Sequence, residues 1–391
     1  MPRTPRHLAW AAVCLAGAMA LAAALAEPRA AAQVPRAEIA GAGDLLLHIK
    51  VLKAAARHGW PRVFEGVRAT RAALGPGALM VANLETPLTR EVVPIRTGSP
   101  PILGAPPEAA AALREAGLDA LACANNHAFD QRSEGLARTL RAVTAAGLAP
   151  LGAGESAASA WRPHVVTRGG LRVAFLSMTD HLNRAAGPAP PAVVAESEDH
   201  ARRDAAIRAA RAAADVVVLF VHWSHDFAAG PTRLQRRRAR RWVDLGVDLV
   251  LGSGPHVLHP VERIESPRGE AVIAYSLGNL VSNQGQRYRP GVRMSPAAHP
   301  AVRLATTRDG AFLRTVFARR GDRLVVEALE ALPLWTENDF WAWHENPRQG
   351  HDIRMVPLGA ASDAVQAARR PAIARALGPA VRLRWPSTEN M

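Results

Sequence analysis

Cysteine and lysine are among the scarcest side chains in this 391-residue chain. Cysteine occurs at Cys14 and Cys123 alone. That excludes the disulfide frameworks of small secreted domains and the multi-cysteine zinc sites that need three or four thiolates. Lysine occurs at Lys50 and Lys53 alone, so arginine supplies nearly all of the 48 basic residues and of the net charge of +14. The arginines are spread through the helical stretches and accompany an excess of alanine, a pattern of composition bias rather than of a nucleic-acid face. No nucleic-acid partner is expected, and an anionic polymer or membrane surface suits the charge better. Long apolar runs are also missing, with one exception at the N-terminus.

That exception spans Leu8 to Leu25. Arg3 and Arg6 precede it and the small residues Ala30-Ala31-Ala32 follow it. Residues 1–32 therefore read as a signal peptide cleaved near Ala32, or as an uncleaved membrane anchor. Either places the protein outside the cytoplasm, periplasmic or at the cell surface. Cleavage would leave Cys123 as the sole cysteine, which rules out an intramolecular disulfide.

From residue 37 one rhythm repeats: a short apolar run, a polar cluster, a helical stretch. The apolar runs are 37–43, 78–82, 118–124, 171–178, 216–221, 247–251 and 271–275. Runs of this length bounded by turn signals fit strands buried on both faces. Apolar residues spaced by three and four predict helices over 107–116, 135–146, 202–214 and 234–245, three of them stopped by Gly117, Gly147 and Gly246. Strand alternating with helix predicts an α/β fold, a layered β-sheet core flanked by helices. Residues 303–331 read as antiparallel strands that finish the sheet. The core domain is expected over 37–335, with 336–391 as a peripheral C-terminal extension.

The polar clusters follow the apolar runs. The first run leads to Asp44, with His48 a turn later; the second leads to Asn83-Leu84-Glu85; the third leads to Asn125-Asn126-His127 and then Asp130. His222-Trp223 ends the fifth and is followed by His225-Asp226. Pro255-His256 follows the sixth, and Ser276-Leu277-Gly278-Asn279 the seventh. Singly, each has a plainer reading: an Asp after a strand caps a turn, Asn125-Asn126 makes one, and His222 is a hydrogen-bonded core histidine. Together they converge, because the carboxyl ends of parallel strands share one edge of a sheet. Carboxylate, carboxamide and imidazole suit borderline divalent ions, Mn²⁺, Zn²⁺ or Fe²⁺, one or two of them.

Gly43-Asp44-Leu45-Leu46-Leu47-His48, Ala82-Asn83-Leu84-Glu85-Thr86-Pro87-Leu88 and Ala124-Asn125-Asn126-His127-Ala128-Phe129-Asp130 resemble the ordered motifs of the CapA (poly-γ-glutamate capsule-synthesis) family. So do His222-Trp223, Pro255-His256-Val257-Leu258-His259-Pro260 and Tyr275-Ser276-Leu277-Gly278-Asn279. The family resembles a branch of the calcineurin-like metallophosphoesterase superfamily. The resemblance implies Asp44, Glu85, Asn126, His222 and His256 as metal ligands and His127 as the acid that assists the leaving group.

It also implies a role in making, exporting or anchoring poly-γ-glutamate capsule. The protein would be a metal-dependent hydrolase of phosphoester or γ-glutamyl linkages, or a non-catalytic accessory that guides an anionic polymer for a membrane synthase complex. Two positions depart from the pattern. Gly254 stands where the family shows the first histidine of His-Pro-His, and Ser224 where it shows glycine. Gly254 is thus expected to mark a vacated ligand position that Gly254→His would refill, with Ser253, His225 or His259 as candidates to compensate. The run Arg236-Arg237-Arg238 with Arg240 and Arg241 reads as a solvated helix face or as a track for a polyanion.

Overall fold

Strands that are apolar on both faces must be covered on both faces, and this requirement shapes the core. The computed structural model describes residues 34–185 and 193–385. The expected signal peptide or anchor at 1–32 lies outside the described residues, as does 386–391. Among the described residues no helix is long and apolar enough to cross a membrane. In chain order the strands are β1 (Arg36–Leu45), β2 (Leu79–Leu84), β3 (Ala120–Ala122), β4 (Ala149–Leu151), β5 (Ala153–Gly154), β6 (His164–Arg168), β7 (Leu171–Thr179), β8 (Val193–Val194), β9 (Val216–His222), β10 (Leu249–Ser253), β11 (Val261–Ser266), β12 (Gly269–Ala274), β13 (Asn279–Val281), β14 (Asp309–Arg320), β15 (Arg323–Asn338), β16 (Ile353–Pro357) and β17 (Arg382–Leu383).

In one wing β4, β3, β2 and β1 run parallel; in the other β12, β10, β9 and β7 do. The long antiparallel pair β14–β15 joins them, lying between β1 and β12. The wings face each other. Along β9, Val216, Val218 and Phe220 enter the apolar layer that also holds Ile39 of β1 and Leu79 and Val81 of β2. The alternate residues Val217, Leu219 and Val221 enter a second layer, with Ile207 and Ala210 of the helix His200–Ala213 and Trp242 of the helix Arg233–Asp244. On the outer side of the first wing, Ala40, Ala42, Met80 and Ala82 carry the helices Ile49–His58, Glu65–Leu74, Glu108–Ala116 and Arg132–Ala145. The core is therefore four layers deep, α/β/β/α. At Gly41 the wings come so close that an added Cβ would lie 2.5 Å from Leu251 Cδ1.

The layered α/β core is the one the alternation predicts. Gly117, Gly147 and Gly246 take positive φ just past their helices, as expected of helix stops. Thr232 and Gln235 start the arginine-rich helix with a reciprocal capping box. Its arginines are largely paired: Arg236 and Arg240 with Glu262, Arg238 with Glu198, Arg241 with Asp204. This favours the solvated helix face over the polyanion track.

The expectation of a peripheral extension at 336–391 is corrected over the described part of that stretch. β16 pairs antiparallel with β15, with Trp335 opposite Val356. Ile353 and Met355 enter the layer beneath the first helices. The helix Asp363–Leu377 adds Val365, Ile373 and Leu377 to the layer between the wings. The alternation in Ile353-Arg354-Met355 was too short to show among prolines and arginines. From this helix Arg369 forms a two-pronged ion pair with Asp309 at the start of β14, its Nε 3.1 Å from Oδ1; both residues are buried. Replacing Arg369 with Met strands the carboxylate, which typically costs about 3–5 kcal/mol. Guanidinium unfolding should show that loss, and the double variant Arg369→Met/Asp309→Leu should recover much of it.

Candidate metal centre

The carboxyl ends of both wings meet at one place because the chain crosses between them there. Leaving β12, Tyr275–Asn279 leads into β13, which pairs in parallel with β1 so that Asn279 lies opposite Asp44. The crossing is tight. Asp44 N donates to Gly278 O at 3.0 Å, and a Cβ on Gly43 would fall 1.7 Å from that same oxygen. The glycines of two predicted motifs are thus what lets the wings close over the site. Asn279 braces the crossing, donating to Gln284 Oε1 (2.9 Å) and Thr307 O (2.8 Å).

Asp44 and Glu85 are both sealed from solvent, with His222 and His256 beside them. Asp44 is well served. Its Oδ1 accepts from Asn83 Nδ2 (2.8 Å), and its Oδ2 meets His256 Nδ1 (3.0 Å) and Gly254 N (3.1 Å). Burial pushes its carboxyl up, but the hydrogen bond and charge of His256, with His222 and Asn83, outweigh burial and hold it below the usual range. His256 is displaced the other way: burial lowers it, and Asp44 more than restores it. Glu85 has no such support. Neither of its oxygens has a hydrogen-bond partner, and burial, then the charges of Asp44 and Asp226, push its carboxyl well above the usual range. His222 is lowered to about 3, chiefly by burial.

Around Glu85 Oε1 the nearest imidazole nitrogens are His222 Nε2 at 3.8 Å and His256 Nε2 at 3.7 Å. These gaps exceed a hydrogen bond and are close to the ~3.4 Å between two donors on one tetrahedral ion with bonds of ~2.1 Å. Ligand atoms of Asp44, Glu85 and His222 all lie within 4.8 Å of one another. A buried carboxylate with two orphaned oxygens among imidazoles is a donor set that fits a divalent cation.

Asn126 and His127 adjoin this cluster on the wall of a cavity of about 480 Å³ that His256 also lines. Asn126 Oδ1 is buried without a partner. His127 is oriented from behind: Nδ1 lies 2.7 Å from Asp130 Oδ2, which also accepts Leu103 N. Its Nε2 lies 3.4 Å from Asn183 Nδ2. The structure therefore gathers Asp44, Glu85, His222 and His256 and sets Asn126 and His127 beside them. The strand-end clusters contained Asn83 and Asp226 without a role for either, and missed His181 and Asn183. Asn83 spans Asp44 and His222, the latter at 3.1 Å. His181 stacks on His222 with ring centroids 5.9 Å apart, and with Asn183 and Asp226 it lines the cavity. Asp180-His181 directly after the fourth apolar run was the signal available for that side.

Residues 38–284, more than half of the chain, match the model of the "Bacterial capsule synthesis protein PGA_cap". The chain belongs to the PGA_cap family. Its relatives include the PGA biosynthesis protein CapA of Bacillus subtilis, 30% identical over 247 residues, which cover 62% of this chain and 62% of that protein. The capsule biosynthesis protein CapA of Bacillus anthracis is 32% identical over 187 residues, 47% of this chain and 44% of that one. The probable polyglutamine synthesis accessory protein of Mycobacterium tuberculosis is 31% identical over 174 residues, 41% and 44% respectively. The chain thus spans less than two thirds of the length of each. Among solved structures, the calcineurin-like phosphoesterase YfkN from Bacillus subtilis aligns over 77% of this chain and 90% of that chain, at 11% identity and a TM-score of 0.43.

At Gly254 the expectation of a vacated ligand position is overturned. Gly254 has φ +100°, and a Cβ there would lie 2.2 Å from Trp223 O and 3.2 Å from His222 Nε2. Instead of a side chain, this PGA_cap member uses the backbone N–H of residue 254 to hold Asp44. Ser253 Oγ stands 3.3 Å from His222 Nδ1, whereas His259 is turned away to Ala228 O (2.9 Å) and His225 is exposed. Ser224 Oγ bonds Asp180 Oδ2 at 3.1 Å. Gly254→His should therefore add no metal. Strain of this kind costs about 1–3 kcal/mol before the clash is counted, so its unfolding midpoint should fall and its metal stoichiometry should not exceed that of wild type. Calorimetric titration of both proteins after stripping decides it.

Proposed function

We propose that this chain is a metal-dependent hydrolase of phosphoester or γ-glutamyl linkages that works outside the cytoplasm on an anionic capsule polymer such as poly-γ-glutamate, alongside a membrane synthase complex. The carrying observation is Glu85, a fully buried carboxylate with two partnerless oxygens between His222 and His256. Asp44, Glu85, His222, His256 and Asn126 would hold one or two ions of Mn²⁺, Zn²⁺ or Fe²⁺. When bound, such an ion supplies Lewis-acid polarisation and acidifies water at neutral pH.

The remaining steps fall to side chains. Asp130 fixes the His127 ring through Nδ1, which leaves Nε2 to carry a proton to the leaving oxygen or nitrogen across the cavity. Asn125 holds the same turn, donating to Leu84 O (2.7 Å) and accepting His127 N (3.2 Å). Polar contacts on both sides of the imidazole thus limit its swing, and orientation of this kind is a large part of general-acid efficiency.

A second reading has its own support. The name of the Mycobacterium tuberculosis relative, a probable polyglutamine synthesis accessory protein, suits a non-catalytic protein that binds polymer for a synthase. Metal and turnover separate the two. Elemental analysis after loading with Mn²⁺ or Zn²⁺ should find at least one ion per wild-type chain and much less in His222→Ala; equal, near-zero metal in both would remove the hydrolase reading.

Under phosphodiester, phosphomonoester and γ-glutamyl oligomer assays, His127→Ala should lower turnover by about 10²–10⁴-fold. Its metal content should stay unchanged. Joint loss of metal and activity would make His127 a ligand instead of the acid, and a loaded wild type that binds polymer without cleaving any substrate would favour the accessory reading.

A further inference from the structure

His48 has no place in the donor set above, yet its ring lines the same cavity as Asn126, His127 and His256. It occupies the N-cap position of the helix Ile49–His58, but its side chain makes no capping bond. The ring turns instead toward the segment after β13, where its Nδ1 lies 3.3 Å from the backbone N–H of Asn283. That segment is anchored in turn by Asn338 at the end of β15, whose Nδ2 donates to Asn283 Oδ1 at 3.0 Å.

A backbone N–H can only donate, so Nδ1 must be the bare nitrogen, and a neutral imidazole with a bare Nδ1 carries its proton on Nε2. Burial supports the neutral form, lowering His48 to about 3. Nε2–H has no acceptor among the described residues. The ring is therefore a neutral donor with a fixed tautomer, belonging to a residue that lines the cavity together with the proposed acid. Fixed donors aimed at an oxygen that gains charge are among the strongest contributors to hydrolytic catalysis, because they need no reorganisation as the charge develops.

We propose that His48 Nε2–H is a substrate-contacting donor that receives an oxygen of the reacting group, phosphoryl or acyl. This rests on the hydrolase reading for its chemistry, but not for its first test. ¹⁵N-histidine NMR of the full-length protein, with His48 assigned by its loss in His48→Phe, should show the Nε2-protonated neutral tautomer across pH 5–8. In Zn²⁺-loaded protein the Nε2–H resonance should move on adding inorganic phosphate if the oxygen is phosphoryl, or a γ-glutamyl oligomer if it is acyl. An Nδ1-protonated ring, or a resonance indifferent to both probes, would overturn the proposal.

Kinetics on whichever substrate is cleaved adds a second arm. His48→Phe should lower kcat by about 10²–10³-fold with unchanged metal content and little change in KM. His48→Gln, whose amide nitrogen falls near the Nε2 position, should recover part of that loss. Loss of metal in His48→Phe would make His48 a ligand and sink the idea, as would unaltered kcat. Should wild type cleave neither substrate, the hydrolase reading fails, and the tautomer and probe shifts still decide His48.

Discussion

An ionised carboxylate taken out of water loses several kcal/mol of hydration unless donors or cations replace it, and this protein buries the carboxyl groups of Asp44 and Glu85 side by side. The surroundings divide unequally between them. Asp44 receives an amide, a backbone N–H and an imidazole, whereas Glu85 receives none of these. Much of the local backbone is bent toward this end. Gly254 adopts a left-handed conformation to aim its N–H, and His256, His225 and Phe227 also take positive φ within the same pair of loops. Non-glycine residues in that region cost about 1–3 kcal/mol each. Strain gathered at one cluster, beside a carboxylate left without donors, is what a site organised around a cation looks like.

The share of this that was legible in the sequence follows from physical range. Each strand and its polar terminus are local features, so apolar runs ended by Asp44, Glu85, Asn126 and His222 could be placed at one edge before any coordinates. The facing of two β layers could not, because Val216 and Val217 are the same residue type yet enter different layers. Nor could the role of residue 254. The family pattern describes that position by its side chain, while the structure uses its backbone. Asn83 illustrates an intermediate case: it stood inside a predicted motif, but its service to both Asp44 and His222 depends on β1 and β9 approaching from different wings.

The same separation of near and far bears on how the hydrolase and accessory readings relate. The proposed acid and its support, Asn125, His127 and Asp130, come from one short stretch of chain, completed by contacts to Leu84, Leu103 and Asn183. The proposed cation ligands come from both wings. A lineage could therefore keep the acid turn and the fold while its metal affinity drifted, and polymer binding would survive such drift more readily than turnover.

The match to the PGA_cap family ends at residue 284, but β14 and β15, which close the core between β1 and β12, begin at Asp309. What is recognisable by descent is thus smaller than what must fold. The recognisable part holds the candidate ligands, while the closing strands answer chiefly to hydrogen-bond register and apolar filling, apart from Asp309 and Asn338.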